Sequence, residues 1–192
     1  MAFLTEDAVR LASGFAGMRQ LAEQELRRSA AVPDGDRFDV FLSHSFADAV
    51  LILGVRALLE SQGLRVYVDW IDDSALERAS VGPETAAILR IRMRNSASLI
   101  FATSDNSPKS KWMPWELGYF DGFKPDRIAI LPLLGMGESS FRGQEYLTLY
   151  PLIEDVSSLG APARLGIMIT EAGSRRAMAI NDFVVEGAFV ST

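Results

Sequence analysis

Glu116 and Trp112 lie at a spacing that could form a binding site for a flat cationic ligand. Pro114 suits the first turn of a short helix predicted over 112–120. Glu116 then lies near the positive end of the helix dipole, where an anion is stabilised. Trp112 and Glu116 are four residues apart, so they share one helix face, and an indole beside a carboxylate suits a flat cation. The spacing also fits a structural role, in which Glu116 caps backbone N–H groups and Trp112 packs in the core.

A polar loop after the first predicted strand could form the other side of such a site. The strand covers 38–42, and the loop begins with Ser43, His44, Ser45 and Phe46. In an open parallel sheet, ligands bind beyond the carboxyl ends of the strands where strand order reverses, between strands one and three. The third predicted strand leads into a second polar segment that ends at Glu116. Both segments are therefore expected to line one ligand pocket.

The histidine in this loop does not indicate a hydrolase triad. The chain has no G-x-S-x-G motif, and neighbouring side chains at a strand end point apart. We expect His44 to be a loop residue at the rim of the pocket.

The elements that must position these residues alternate between strand and helix. Strands are predicted over 38–42, 65–68, 98–103, 127–133 and 150–154, with helices over 48–62 and 83–95 among the segments between them. This alternation implies right-handed crossovers and a parallel sheet covered by helices on both faces. We predict an α/β fold, a flavodoxin-like three-layer sandwich with a five-stranded parallel sheet.

The two ends of the chain differ from this pattern. Apolar residues three and four apart predict an N-terminal amphipathic helix over 1–32, which could pack on its own domain or mediate self-association. Pro, Gly and acidic residues then indicate a linker. We divide the chain into a helix and linker (1–36), the main domain (37–155) and a helical extension that completes it (156–192), with a last helix expected over 175–185.

Composition excludes several classes of function. The chain has no Cys and one His, which leaves neither disulfides nor a His/Cys metal site, so we predict no metal. A net charge of −6 disfavours unspecific binding to nucleic acid. Glu6 and Asp7 lie where a signal peptide would be basic, and no long apolar segment is present, so we predict a cytoplasmic protein without membrane contact.

Two groups of charged residues are expected to lie on a solvated surface. Arg90, Arg92 and Arg94 occur near the end of a predicted helix, where cations suit the dipole. A role in phosphate binding or self-assembly is the alternative for these arginines. Asp72 and Asp73 belong to an acidic loop predicted over 69–82.

Three sequence boxes resemble those of TIR (Toll/interleukin-1 receptor) domains, and together they cover about residues 37–155. Residues 38–45, FDVFLSHS, are similar to the first strand and its polar loop, and residues 66–70, VYVDW, resemble the second strand running into the long BB loop. Residues 110–117, SKWMPWEL, contain the W-x-x-x-E pattern of enzymatically competent members. The boxes occur in the family's order.

The resemblance implies an activity and a set of site residues. It makes Glu116 the catalytic glutamate, places Trp112 beside the nicotinamide of NAD, and makes the loop after the first strand part of the pocket. Ser43, Ser45, His44 and Phe46 then become substrate-binding residues, with NAD as a substrate and no cofactor. Standalone bacterial relatives act in anti-phage defence of the Thoeris type, so the resemblance also implies self-association through TIR–TIR contacts and a separate effector protein that reads the product.

One carboxylate is chemically sufficient for this reaction. Nicotinamide leaves NAD as a neutral base, so the general acid that most glycosidases need is not required. Glu116 could stabilise the positive charge that develops on the ribose. Water would give ADP-ribose, and attack from within the nucleotide would give a cyclic product. A non-enzymatic TIR adaptor and a nucleoside deoxyribosyltransferase-like enzyme remain as alternatives.

Overall fold

The sheet of this protein contains eight strands within the part of the chain that the structure describes. The structure, a computed structural model, describes residues 3–12, 32–73, 82–135, 141, 143–155, 167–171 and 176–189. The strands are β1 Leu4–Thr5, β2 Phe38–Ser43, β3 Val66–Tyr67, β4 Ser96–Thr103, β5 Ile128–Leu134, β6 Leu152–Asp155, β7 Ile167–Thr170 and β8 Ala177–Ala179. Their order is β3-β2-β4-β5-β6-β7-β8, and β1 pairs with β5.

This topology confirms the α/β class and corrects the prediction of a five-stranded parallel sheet. The five predicted strands are β2 to β6, which pair in parallel and in the order expected of a flavodoxin-like fold. However, β7 and β8 extend the sheet with antiparallel pairings, so the sheet is mixed. Antiparallel strands at the edge of a parallel sheet are common. These short strands follow a region without clear periodicity, and so they were not predicted.

Helices cover both faces of the sheet. They are α1 Glu6–Ala12, α2 Ala49–Ser61, α3 Asp69–Asp72, α4 Pro83–Arg94, α5 Met113–Asp121 and α6 Ile180–Glu186. Successive residues of the central strands enter two separate hydrophobic clusters, as expected when side chains alternate along a strand. One cluster contains buried residues of α1, α2 and α6, and the other contains those of α4 and α5. The acidic segment predicted as a loop from residue 69 begins instead as the single turn α3.

The N-terminal segment begins as part of the sheet, which corrects the prediction of one helix from residue 1. Leu4 pairs with Leu133, beyond the last pairing between β4 and β5 at Thr103 and Pro132. Leu4 and Val9 are buried in the same cluster as α2. Helix α1 therefore packs on its own domain, while the rest of the predicted helix, 13–31, lies outside the described residues.

The C-terminal segment also differs from its prediction. Helix α6 begins at Ile180, and residues 177–179, which were expected to be helical, form β8. Among the described elements, no helix combines the length and apolar character needed to span a membrane.

Candidate active site

The carboxylate of Glu116 lies where the end of β2 meets the start of α5. Pro114 occupies the first turn of α5, as predicted, and Glu116 follows in the same turn. The Ser43 hydroxyl, at the last residue of β2, donates a hydrogen bond of 2.6 Å to Glu116 Oε2. This distance is at the short end of the range for O–H···O hydrogen bonds. The Glu116 side chain is only 1% exposed, so contact with a ligand requires a local opening of the site.

A pocket of about 300 Å³ is formed by residues that lie close in sequence to this pair, although neither Ser43 nor Glu116 belongs to its lining. Its lining is Ser45, Phe46, Ala47, Lys109, Ser110, Lys111 and Trp112. Trp112 is 4% exposed and also belongs to the core cluster on the α4 and α5 side of the sheet, so it both packs in the core and forms a pocket wall. Phe46 is 65% exposed, and its ring lies edge-on to Trp70 at 6.4 Å. The pocket is therefore mainly apolar, with lysines in its lining.

The only histidine is buried below the loop. His44 is 1% exposed, and its Nδ1 lies 2.8 Å from the Leu42 carbonyl oxygen. The indole N–H of Trp70 donates to His44 Nε2 at 2.9 Å. An indole N–H can only donate, so Nε2 accepts and the proton lies on Nδ1, from which it is donated to Leu42. The expectation that His44 lies at the pocket rim is wrong, because its ring positions the end of β2 against α3.

The loops that follow β2 and β4 are tied together by a carboxylate that the sequence did not single out. Asp48 is buried and accepts hydrogen bonds from the Ser104 hydroxyl at 2.5 Å and from Asn106 Nδ2 at 2.7 Å. An aspartate at the start of a helix usually indicates an N-cap, yet Asp48 forms no side-chain cap bond to α2. Its side chain instead fixes the loop after β2 to the loop after β4.

A buried ion pair corrects the prediction of a solvated position for Arg92 and Asp73, whereas Arg90 and Arg94 are exposed as predicted. Arg92 is 2% exposed and donates to Asp73 through Nε at 2.7 Å and through its second terminal nitrogen at 2.9 Å. The Tyr67 hydroxyl also donates to Asp73, at 2.8 Å. The hydrogen bond to Asp73 raises the pKa of Arg92, and burial, followed by the charges of Asp69 and Asp73, raises the pKa of Tyr67 well above its usual range.

The described residues contain no candidate metal site. Within them, no three His, Asp or Glu side chains are grouped closely enough to hold a metal ion.

Comparison with known proteins supports the resemblance that the three boxes carry. No family model matches the chain. The chain is 56% identical over 117 residues to ThsB' of Bacillus cereus (strain MSX-D12), whose name designates a probable 3' cyclic ADP-D-ribose synthase; the match covers 60% of each protein. A second relative is TIR2 of Cytobacillus dafuensis, named as a candidate cyclic ADP-D-ribose synthase. It is 35% identical to the chain over 83 residues, which are 43% of the chain and 22% of the relative.

Over 60% of its length the chain is therefore similar to a protein named as a cyclic ADP-D-ribose synthase, and over 43% to one that carries the name TIR2. The topology of the sheet agrees with this similarity, since the first and third strands of the parallel part, β2 and β4, are adjacent. Their loops meet near Glu116, as a ligand site at this edge requires. The match spans less than two thirds of the relatives' lengths, 60% of ThsB' and 22% of TIR2.

Proposed function

We propose that this protein is a TIR-domain enzyme that cleaves the bond between nicotinamide and ribose in NAD and forms a cyclic ADP-ribose-type product. The observation that carries this proposal is the Ser43–Glu116 hydrogen bond of 2.6 Å at the start of α5, next to a pocket that Trp112 lines. The names of both relatives, which designate cyclic ADP-D-ribose synthases, support the same chemistry.

In this proposal Glu116 stabilises a developing positive charge and does not transfer a proton. Departure of neutral nicotinamide leaves positive charge on the ribose, and an ionised Glu116 held by Ser43 stabilises that charge. The hydrogen bond fixes the carboxylate before the reaction, so little reorganisation is needed when the charge develops. Trp112 offers an aromatic wall for the nicotinamide ring, and Phe46 and Ser45 line the same pocket. His44 supports the loop from below through Leu42.

The product depends on which nucleophile reaches the ribose. Water gives ADP-ribose, whereas attack by a group of the same nucleotide closes a ring. A dry pocket favours the second course because it excludes the competing water. The names of both relatives, which designate cyclic ADP-D-ribose synthases, support a cyclic product.

The test is product analysis by mass spectrometry after incubation of NAD with concentrated protein. We expect nicotinamide and a cyclic ADP-ribose isomer from the wild type. Glu116→Gln retains an acceptor for Ser43 but loses the charge, so turnover should fall by at least about 100-fold, the effect of losing roughly 3 kcal/mol of electrostatic stabilisation. Glu154→Gln is the matched control, because Glu154 is also buried and accepts a hydroxyl hydrogen bond, from Thr170 at 2.9 Å.

The control variant should cleave NAD within about twofold of the wild type. Near-wild-type turnover by folded Glu116→Gln would refute the mechanism and favour a TIR adaptor. Cleavage of deoxynucleosides without cleavage of NAD would favour the deoxyribosyltransferase alternative.

Assembly is a further part of the proposal. We propose that the active form self-associates through TIR–TIR contacts and that a separate effector protein reads the product. If self-association is needed, specific activity should fall on dilution. A constant specific activity from a species that light scattering shows to be monomeric would contradict it.

A further inference from the structure

A second pocket lies where β2 and β4 begin, at the opposite ends of these strands from Glu116. It measures about 420 Å³ and is lined by Arg37, Phe38, Asp39, Arg65, Arg94, Asn95, Ser96, Ala97 and Lys124. Phe38 and Ser96 are the first residues of β2 and β4, whereas Ser43 is the last residue of β2. Strand β2 has six residues, so its two ends lie roughly 20 Å apart. This second pocket, which we call the basic pocket, is therefore distinct from the candidate active site.

The basic pocket is positively charged although the chain carries a net charge of −6. Four of its lining residues are cationic, and only Asp39 is anionic. Arg65 pairs with Asp36 at 2.6 Å. Within the part of the chain that the structure describes, Arg37 and Arg94 form no ion pair with a carboxylate. Two guanidinium groups therefore remain to neutralise an added anion.

Neutral oxygen atoms, and not carboxylates, hold two of these cations in place. Lys124 Nζ donates to the carbonyl oxygens of Ser96 at 2.5 Å and Arg94 at 3.3 Å. Arg94 Nε donates to the Tyr119 hydroxyl at 2.8 Å, which leaves its charge uncompensated. Partial burial lowers the pKa of Lys124, and the charges of Arg127 and Arg37 lower it further. A bound anion would relieve this repulsion between cations.

We propose that the basic pocket binds the phosphate group of a small phosphorylated molecule through Arg37 and Arg94, with Lys124 adding charge. Guanidinium groups bind phosphate oxygens through paired, charge-assisted hydrogen bonds. A volume of about 420 Å³ falls in the range of small-molecule sites and exceeds what a lone phosphate needs. The inference does not depend on NAD cleavage, because it concerns different residues at a different edge of the sheet.

The test is a titration of the full chain, labelled with nitrogen-15, with inorganic phosphate and separately with ADP. Ionic strength is kept constant with chloride, and backbone amide shifts are measured. We expect saturable shifts at Asn95, Ser96 and Ala97 for both ligands. Arg37→Gln/Arg94→Gln should weaken phosphate binding at least tenfold. Arg90→Gln, which removes the same charge from an exposed position of α4 outside the pocket, should change it by less than twofold.

The same spectra show whether each variant is folded. If the double variant is not folded, the single variant Arg37→Gln replaces it, since Arg37 is an exposed residue. Tighter binding of ADP than of phosphate identifies a nucleotide-like ligand, and equal binding identifies the phosphate group alone as the recognised unit. Absence of saturable shifts in the basic pocket, or equal weakening by Arg90→Gln, would overturn the proposal.

Discussion

Replacement of Arg92 by methionine should strongly destabilise the protein. The guanidinium is buried and makes two hydrogen bonds to Asp73, and it also donates to the backbone carbonyls of Pro33 at 3.0 Å and Val32 at 2.5 Å. Methionine fills part of the volume but leaves the Asp73 carboxylate buried without its cation. Removing one partner of a buried ion pair costs about 3–5 kcal/mol, because the remaining charge stays desolvated.

This loss is large compared with the whole stability of a domain, about 5–15 kcal/mol. In a chain of 192 residues, 1 kcal/mol corresponds to a change in Tm of about 2–4 °C. Arg92→Met should therefore lower the Tm by roughly 6–20 °C.

Urea denaturation and thermal unfolding of four proteins would test this reasoning. Arg90→Met is the control, because Arg90 is exposed on the same helix; the loss of its contacts with the rings of Trp115 and Tyr119 should cost no more than about 1 kcal/mol. Asp73→Asn/Arg92→Met should be more stable than Arg92→Met alone, since the double variant no longer buries an unpaired charge. A loss of less than about 1 kcal/mol in Arg92→Met, or no recovery in the double variant, would refute the argument.

Two further predictions concern the site and the alkaline pH range. Ser43→Ala should lower NAD turnover about tenfold or more, because it releases the Glu116 carboxylate. Ser98→Ala, which removes a buried serine hydroxyl from β4, should leave turnover unchanged. Equal losses in both variants would contradict this prediction. Burial, with a hydrogen bond to Asp121, raises the pKa of Tyr150 to about 12, so the folded state holds this proton more tightly than the unfolded state does. The resulting stabilisation is complete below about pH 10 and is lost as the pH rises through 12, and absorbance titration should show a tyrosinate near pH 12 that Tyr150→Phe lacks.

The parallel part of the fold could be predicted because its strands are apolar runs bounded by clear signals. Strand β4 was expected over 98–103 and covers Ser96–Thr103, and α4 begins at Pro83 as predicted. Strand β1 could not be predicted, because two residues are too few to show the alternating pattern of a strand. Their pairing also depends on the end of β5 that extends beyond β4. Strands β7 and β8 are similarly short, with three or four residues each.

The candidate site was predictable where topology alone brings residues together. Ligands bind beyond the carboxyl ends of parallel strands where strand order reverses, and this rule predicted that Ser43 and Glu116 lie close together there. The partners of buried polar groups were not predictable, because a partner many residues away leaves no local pattern. Asp48 bonds to Ser104, 56 residues away, and Arg92 bonds to Asp73, 19 residues away. Local spacing therefore indicated a solvated face where the fold buries the Arg92–Asp73 pair, and it did not indicate the contacts of Asp48.

The charge of Glu116 separates a structural role from a catalytic one. The hydrogen bond from Ser43 requires only an acceptor, and the side-chain oxygen of a glutamine could provide it. An ionised carboxylate at 1% exposure costs more desolvation free energy than an amide would, so that bond does not by itself explain a glutamate. The dipole at the start of α5 offsets part of this cost. Under the proposed function, a ribose that becomes cationic next to the carboxylate as NAD is cleaved would provide the remaining reason for the charge.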